Sequence, residues 1–381
     1  MIGFSLTDEQ RALQELARDF AQNEIAPMAP ELDRTGQYPY ALLKQAHSLG
    51  LLNVTIEEEY GGGGLGWIES SLVGEELAAA CAGVTTAANA NELALTPLHL
   101  AASEEQKRKF ISPIAKEGGF AAFCVTEPGA GSDVVSMRTR ATKKGSEYIL
   151  NGTKHFITNG DVAHLLTVFA VTDPEKKHRG LSLFAVPADL PGVTRHHMGE
   201  KMGHRASDTA EIVFEDVHVP AENLLGQEGE GFRVAMETFD RTRIGIGAAG
   251  VGIARAALEA SIKFAKERQQ FGQPIASFEG VQFMLADMAM KIDTARLAVW
   301  FAAWQVDEKL PYAYASAIAK AYGSDVAMQV ATDAVQIHGG YGYMADYKVE
   351  KYMRDAKLLQ IYEGTNQIQR LIVAKALLKE K

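Results

Sequence analysis

The chain has 381 residues, of which 47% are hydrophobic and 23% charged, a composition typical of globular proteins. Its length predicts two or three domains. The net charge of −10 argues against sequence-independent binding to nucleic acid, which needs a basic surface. No apolar run is long enough to cross a bilayer, and residues 1–10 carry no basic-then-apolar signal. We therefore expect a cytoplasmic protein that is not inserted in a membrane.

The cysteines and histidines do not form a metal-binding pattern. The two cysteines, Cys81 and Cys124, lie far apart and provide neither a disulfide framework nor a cysteine zinc site. The ten histidines show no HExxH spacing. We therefore expect no metal.

Residues 1–119 have the pattern of an N-terminal α-helical domain. Thr7 is followed by Gln10, and Ser103 by Gln106, and both pairs are capping boxes that mark the start of a helix. The stretch 61–66 matches GxGxxG, but the carboxylates at 57–59 stand where a dinucleotide-binding fold needs an apolar strand. We interpret this stretch as a flexible loop.

Residues 120–229 break into short β-rich runs separated by Gly, Asn, Asp and Pro. The clearest runs are 148–150, 155–158, 165–171, 181–186 and 210–214. Strands without alternating helices predict a middle antiparallel β domain, a barrel or sandwich and not a Rossmann sheet.

Residues 230–381 return to a helical pattern. Long helices are predicted over 312–337 and 366–379, and another has an apolar seam that steps by four and three residues. This seam comprises Val281, Leu285, Met288, Ile292, Ala295 and Val299. The fold class is therefore α+β: an N-terminal helical domain, a middle antiparallel β domain and a C-terminal four-helix bundle.

Three motifs have both an ordinary and a functional interpretation. TEPGAGSD at 126–133 follows an apolar run, and it is either a tight turn or a loop whose backbone N–H groups approach an anion. QIHGGYG at 336–342 ends a helix, where the glycines either cap it or allow a ligand to approach closely. IYEGTNQIQR at 361–370 is a polar break before the last helix, and Glu363 within it could be an ordinary loop carboxylate.

The combination is more specific than its parts. TEPGAGSD, FITNG at 156–160, RQQFG at 268–272, QIHGGYG and IYEGTNQIQR occur in this order, and the chain thereby resembles the acyl-CoA dehydrogenase family along its whole length. The resemblance is closest to the short- and medium-chain members. It implies the fold described above, an FAD cofactor, a homotetramer built as a dimer of dimers, and an electron-transferring flavoprotein as electron acceptor.

The resemblance also assigns residues to FAD, in three groups. The first group would contact the flavin and the pyrophosphate, and in it Phe156 stands where relatives have Trp: Phe123, Val125, Thr126, Gly131, Ser132, Phe156, Ile157 and Thr158. The second group would reach the FAD of a neighbouring subunit: Arg268, Phe271, Gln336, Ile337, Gly339 and Gly340. The third group, Thr365 and Gln367, would close over the adenosine. Glu279 stands where relatives often have Gln and is not assigned.

For the reaction, the resemblance implies that Glu363 takes the α-proton of an acyl-CoA while flavin N5 accepts a hydride from the β-carbon, giving a 2-enoyl-CoA. Family branches that place the base elsewhere use the position of Thr242, which cannot take this proton. The residues expected to contact the substrate are Ser132, Asp240, Arg243, Tyr362, Glu363, Gly364 and Asn91.

The acyl group stays open at this stage. The segment 84–95 corresponds to the pocket floor of the family and carries the polar residues Thr85 and Asn89. A compact, branched or alicyclic acyl group is as consistent with it as a straight chain of medium length. Alternatives on the same fold are an acyl-CoA oxidase, a flavin monooxygenase and a flavoprotein that binds nucleic acid. A purely structural protein without flavin is the remaining alternative.

Overall fold

The N-terminal part of the chain is helical in the computed structural model, which describes residues 5–378. Both predicted capping boxes are confirmed: Thr7 and Gln10 exchange hydrogen bonds at the start of α1, as do Ser103 and Gln106 at the start of α6. The helices are α1 (Asp8–Phe20), α2 (Ala26–Thr35), α3 (Tyr40–Ser48), α4 (Trp67–Ala80), α5 (Ala82–Ala101) and α6 (Glu104–Glu117), with a π-helical turn at Ala21–Ile25.

The glycine-rich stretch 61–66 is a loop that leads into α4, as its sequence predicts. The loop packs closely against the segment that precedes it. A Cβ atom on Gly62 would lie only 2.1 Å from the carbonyl oxygen of Ile56, so the two backbone segments touch.

The middle part is one twisted sheet. Its strands are β1 (Ala121–Cys124), β2 (Arg140–Lys144), β3 (Glu147–Thr158), β4 (Leu165–Val171), β5 (Leu181–Pro187), β6 (Val193–His197), β7 (Thr209–Pro220) and β8 (Leu224–Leu225). The order is β6-β7-β3-β2-β4-β5-β8, with β1 beside β4. Most neighbours are antiparallel, as predicted, but β1 runs parallel to β4, and β2 makes one parallel bridge to it. An irregularity in β3 between Lys154 and Ile157 turns Phe156 outwards with φ +57°.

The C-terminal part is a bundle built around one 37-residue helix. Its elements are α7 (Gly231–Glu267), the hairpin β9 (Gln269–Gln270) and β10 (Gln273–Pro274), α8 (Glu279–Asp307), α9 (Ala313–His338), α10 (Val349–Leu359) and α11 (Asn366–Leu377). The seam of α8 is confirmed at Met288, Ile292, Ala295 and Val299, which are buried. Within residues 5–378, α7 alone is long and apolar enough to cross a membrane, and most of its apolar stretch is buried by the rest of the protein.

A buried ion network joins the N-terminal helices to the bundle. Two neighbouring carboxylates of α4, Glu75 and Glu76, are almost fully buried. Arg255 of α7 bonds Glu76 at 2.5 Å and lies 3.2 Å from Glu75. Arg18 of α1 bonds Glu76 at 2.8 Å, and Arg296 of α8 bonds Glu75 at 3.0 Å. Four helices are thus held together at two buried carboxylates, with Arg18 the most exposed of the three arginines.

Replacing Glu76 by glutamine should destabilise the protein strongly. The glutamine keeps the volume of the side chain but leaves Arg18 and Arg255 without their shared carboxylate, and loss of one partner of a buried pair costs about 3–5 kcal/mol. The free energy of unfolding from urea titrations measures this. As a control, Glu31→Gln removes the exposed pair with Arg34 and should have little effect, because water screens both charges. Equal effects of the two changes would contradict a special role for the buried network.

Candidate functional site

The turn between α10 and α11 carries Glu363 in an unusual backbone conformation. Glu363 has φ +53°, and Gly364 follows with φ +80°. A left-handed conformation costs a residue with a side chain on the order of 1 kcal/mol, so the surroundings must hold it. At Gly364 a side chain would be strained by the positive φ, and a Cβ atom would displace Gln369 Nε2, which lies 2.6 Å from its position.

Buried side chains from three helices hold the two carbonyl groups of this turn. Lys320 of α9 donates to the Gly364 oxygen at 2.7 Å, and Gln369 of α11 donates to it at 2.9 Å. The Glu363 oxygen accepts from Gln369 at 3.2 Å and from Arg243 Nε of α7 at 3.4 Å. Both carbonyls therefore point into the protein.

The Glu363 side chain borders a cavity of about 50 Å³. Thr242 Oγ1 lies 3.1 Å from Glu363 Oε2 and can donate to it. The other walls come from α4, α5, α7 and the end of β3. They are formed by Trp67, Thr86, Asn89, Ala90, Glu92, Leu93, Thr158, Gly245, Ile246 and Tyr362.

The electrostatic setting of Glu363 is that of a base that works near neutral pH. Burial raises the pKa of its carboxyl group to about 7, while Arg243, the Thr242 hydroxyl and Lys320 limit the rise. A carboxylate with a pKa near the ambient pH can both take and release a proton. The arrangement can therefore remove a proton from a molecule bound in the cavity.

Arg243 and Asp240, both expected at the substrate, form an ion pair at 2.5 Å. Arg243 is 3% exposed, and burial lowers its pKa while Asp240 opposes that change. Burial raises the pKa of Asp240, and Arg243 opposes it. Because Arg243 also bonds the Glu363 carbonyl, it supports the turn.

A chain of hydrogen bonds fixes the Tyr362 hydroxyl. His204 Nε2 lies 2.9 Å from the Asp355 carbonyl oxygen, so this nitrogen carries the proton. The Thr86 hydroxyl then donates to His204 Nδ1 at 2.8 Å and accepts from Tyr362 at 3.3 Å. Burial lowers the pKa of His204, which favours this neutral form. The Tyr362 hydroxyl therefore donates its hydrogen bond to Thr86.

Two expected floor residues do not line the cavity. Asn91 points the other way and bonds the Gly119 carbonyl and the Ala121 N–H, each at 2.9 Å. Thr85 donates to the Cys81 carbonyl within its own helix. On an α-helix the neighbouring positions face different directions, and it is Thr86 and Asn89 that reach the cavity. Which residues face the cavity depends on how the helix is rotated about its axis relative to the bundle. The sequence of the segment alone does not determine that rotation.

Loop 126–132 directs no carboxylate of its own outwards, although Asp133, the last residue of the motif, is exposed. Its one carboxylate, Glu127, turns inwards to Lys154 at 2.8 Å and to the N–H groups of Arg138 and Thr139 at 2.6 and 2.9 Å. Burial opposes ionisation of Glu127, but Lys154 and these N–H groups together lower its pKa. Gly131 and Ser132 are exposed, so the loop offers backbone and hydroxyl groups to a ligand.

The expected flavin residues of the sheet fall into two sets. Thr126 is partly exposed, Phe156 presents its ring to solvent with 63% exposure, and Thr158 borders the cavity beside Glu363. The side chains of the others are packed in hydrophobic cores, so only their backbone can face a ligand. These are Phe123, Val125 and Ile157.

A second cleft, of about 490 Å³, lies at the end of α9 and brings together Arg268, Ile337, Gly339 and Gly340 as expected. Nothing lies within 4 Å of a Cβ atom placed on either glycine, so the backbone there is open. The remaining expected residues do not border this cleft. Gln336 and Gln367 are exposed, Thr365 caps α11, and Phe271 stands at the tip of the β9–β10 hairpin with 94% exposure.

One group of side chains has the geometry to share an ion, but we assign no metal to it. It consists of Asp161, His197 and Asp208. Both Asp208 oxygens are already engaged, one by the Asp161 N–H at 2.8 Å and one by His197 at 3.1 Å. These bonds explain the cluster as part of the sheet.

Sequence reasoning missed several residues of the site. Trp67 and Gly245 belong to the cavity wall, and Lys320 and Gln369 to the support of the turn. A single lysine in the small, apolar pattern of α9 was the one signal for Lys320. Trp67 and Gly245 carry no such signal, because they enter the site only through the packing of α4 and α7.

Comparison with known proteins gives a consistent result over the whole chain. Three family models match: acyl-CoA dehydrogenase N-terminal domain at residues 7–118, middle domain at 122–217 and C-terminal domain at 229–378. A probable acyl-CoA dehydrogenase of Bacillus subtilis, YngJ, is 47% identical over 381 residues, which cover 99% of this chain and all of that one.

Solved structures agree closely as well. Butyryl-CoA dehydrogenase from Megasphaera elsdenii has a TM-score of 0.97 and 44% identity, over 99% of this chain and all of that one. A structure described as electron transferring flavoprotein of Acidaminococcus fermentans has a TM-score of 0.98 and 46% identity, over the full length of both chains. The chain is therefore an enzyme that belongs to the acyl-CoA dehydrogenase family.

Proposed function

We propose that this protein removes two hydrogens from an acyl-CoA thioester to give a 2-enoyl-CoA, with Glu363 as the base that takes the α-proton. The observation that carries the proposal is the Glu363 carboxylate, held in a left-handed turn beside a narrow cavity with its pKa raised to about 7. In a saturated acyl chain the C–H bonds next to the thioester carbonyl are the acidic ones, so a base is needed at that carbon.

The turn also supplies a donor for the thioester. Within residues 5–378 the Glu363 backbone N–H makes no hydrogen bond, whereas the Glu363 carbonyl accepts hydrogen bonds from Arg243 and Gln369. An N–H group directed at the carbonyl oxygen stabilises the negative charge that develops there when the α-proton leaves. Glu363 would thus both take the proton and polarise the group that acidifies it.

The residues present fit an FAD cofactor. The outer side of loop 126–132 offers Gly131 and Ser132 while Glu127 turns inwards. Of the strand residues, Phe156 is exposed and Thr158 borders the Glu363 cavity. The cleft with Arg268 and the open pair Gly339–Gly340 suits a further, anionic part of the molecule. FAD, when bound, supplies the hydride acceptor, and the protein supplies position and proton transfer.

Replacing Glu363 by glutamine should abolish flavin reduction while the protein stays folded and yellow. Glutamine keeps the shape and the bond from Thr242 but cannot accept a proton. The other carboxylate that lines the cavity, Glu92, already accepts hydrogen bonds from Thr55 and Ser70. We expect the rate of anaerobic flavin bleaching by acyl-CoA to fall by a factor of about 10³ or more.

The matched control is Asp240→Asn, which changes the other carboxylate of this region. It should weaken acyl-CoA binding, because Arg243 loses its partner, while bleaching at saturating substrate persists. Bleaching of the Glu363→Gln protein at the wild-type rate would refute the proposed base.

For the acyl group we propose a compact, short substrate, either straight or branched. The cavity of about 50 Å³ beside Glu363 has room for only a few carbon atoms. Its far wall includes Glu92, which is fixed by the Thr55 N–H and hydroxyl at 3.0 and 2.6 Å and by Ser70 at 2.9 Å. Trp67 borders the same cavity, and we expect its ring to limit the length of the acyl tail.

Changes at the cavity wall should move chain-length preference in opposite directions. A Cβ atom on Gly245 would meet Asn89 Nδ2 at 3.7 Å, so Gly245→Val fits the helix but fills the cavity, and kcat/KM should fall most for the longest substrates. Trp67→Ala should enlarge the cavity and raise kcat/KM for longer substrates relative to shorter ones.

A turnover panel over straight and branched acyl-CoAs, with FAD content measured for each variant, tests this. Thr85→Ser is the control, since Thr85 bonds its own helix and faces away from the cavity. If Gly245→Val and Trp67→Ala both keep the wild-type ratio between short and long substrates, these residues do not form the wall.

We also propose a homotetramer, a dimer of dimers, that passes its electrons to an electron-transferring flavoprotein in the cytoplasm. The support for assembly is a second apolar face on α8, opposite its buried seam. Phe283, Met290 and Leu297 recur every seven residues on this face, followed by Phe301, and they are 42–64% exposed. A helix with two apolar faces needs a partner on each side. The likeness to the Acidaminococcus structure supports the electron acceptor.

Placing charges on this outer face should break the assembly. The double change Met290→Glu and Leu297→Glu puts two carboxylates where another subunit would pack, and sedimentation should show smaller species. FAD should be retained less well, because the cleft of Arg268 would no longer face a neighbour. Gln45→Glu on the exposed side of α3 is the control. Unchanged sedimentation of the double variant would contradict the proposed interface.

A further inference from the structure

A fully buried lysine lies directly behind the turn that carries Glu363. Lys320 has 0% exposure, and its ammonium donates to the Gly364 carbonyl at 2.7 Å and to Asn366 Oδ1 at 2.9 Å. Both partners are uncharged. Among residues 5–378, no carboxylate lies within ion-pair distance of it. A buried cation without an ion-pair partner is costly, so it needs a reason.

Asn366 shows how firmly this lysine is placed. Its amide oxygen accepts from Lys320 and from Ser324, and its amide nitrogen donates to Ser324 at 2.8 Å and to Asp325 at 2.8 Å. Asp325 in turn pairs with Arg370 at 2.6 Å. Because Asn366 is the first residue of α11, the Lys320 ammonium connects α9 to both the turn and the helix that follows it.

We propose that Lys320 is a positioning residue for Glu363: its ammonium holds the Gly364 carbonyl and hence the left-handed turn, and its charge favours the ionised form of the base. The proposal rests on the proposed role of Glu363. Lys320 touches neither the cavity nor the atoms that would react, so it acts only through the turn.

The electrostatics agree with the geometry. Burial lowers the pKa of Lys320 to about 7, and the Glu363 carboxylate is the first group that opposes this change. Conversely, Lys320 is one of the groups that limit the raised pKa of Glu363, after Arg243 and Thr242. Removing the cation should therefore raise the pKa of Glu363, and the ionised base would exist only at higher pH. The charged or titratable groups facing the pair are Arg243 and Asp240 of α7, Asp325 of α9, Tyr362 of the turn and Arg370 of α11.

Two substitutions separate the hydrogen bond from the charge. Lys320→Met removes both, whereas Lys320→Gln removes the charge and keeps an N–H donor. With the FAD-loaded protein and anaerobic acyl-CoA, we expect the pH midpoint of flavin reduction to rise by about half a unit or more in both variants. At high pH, where the base is ionised in each, Lys320→Met should still be about tenfold slower, because its turn is no longer held, and Lys320→Gln less so.

A second measurement does not depend on the reaction. Infrared titration of the FAD-free protein can follow the Glu363 carboxyl band as a difference between a protein with Glu363 and the same protein with Glu363→Gln. This difference is recorded once in the wild-type background and once in the Lys320→Met background. The pH midpoint of the band should be higher in the Lys320→Met background. Lys357→Met, which removes an exposed lysine of α10, is the control and should shift nothing.

The outcomes divide cleanly. A rate loss of equal size at every pH, with unchanged midpoints in both measurements, would mean that Lys320 only supports the fold, and would overturn the proposal. If Glu363→Gln bleaches like wild type, the proposed function itself fails, whatever the lysine variants do. Should Lys320→Met not fold, the Lys320→Gln midpoints decide alone.

Discussion

The left-handed turn at Glu363 and Gly364 is the constraint around which this site is built. Two successive residues with positive φ are unfavourable by themselves, and only one of them is glycine. The turn persists because its two carbonyls accept hydrogen bonds from Arg243, Lys320 and Gln369, side chains that are buried and rigidly packed. The bundle helices α7, α9 and α11 thus meet at one backbone segment, and the position of the carboxylate follows from their packing.

Features that depend on local sequence could be predicted, whereas features that depend on the packing of distant helices could not. Capping boxes at Thr7 and Ser103 and the seam of α8 are local patterns, so they predict helix starts and a buried face correctly. The turn depends on donors that are 44 and 120 residues away along the chain. Its motif marks the place, but the conformation of Glu363 and the role of Lys320 arise only when distant helices are brought together.

The cavity wall illustrates a finer limit of sequence reasoning. The segment 84–95 is indeed the helix that borders the cavity, but a rotation by one residue decides whether Thr85 or Thr86 reaches it. Asn91 fixes that rotation, since its amide bonds the backbone of Gly119 and Ala121 where the helical part meets β1. A residue that seemed to line the pocket therefore sets the phase of the helix that does.

The charges around the turn complete the argument for its chemistry. While Lys320 is protonated, Arg243 and Lys320 are the nearby cations and Asp240 and an ionised Glu363 the nearby anions, so this group is neutral when the base is ionised. When Glu363 takes a proton, the group gains one positive charge in a region with little water to screen it. In the proposed reaction the acyl group becomes more negative at that same moment. The excess positive charge therefore develops in the transition state of α-proton removal. An interaction that is stronger in the transition state than in the bound substrate lowers the barrier, whereas an equal interaction with both only tightens binding.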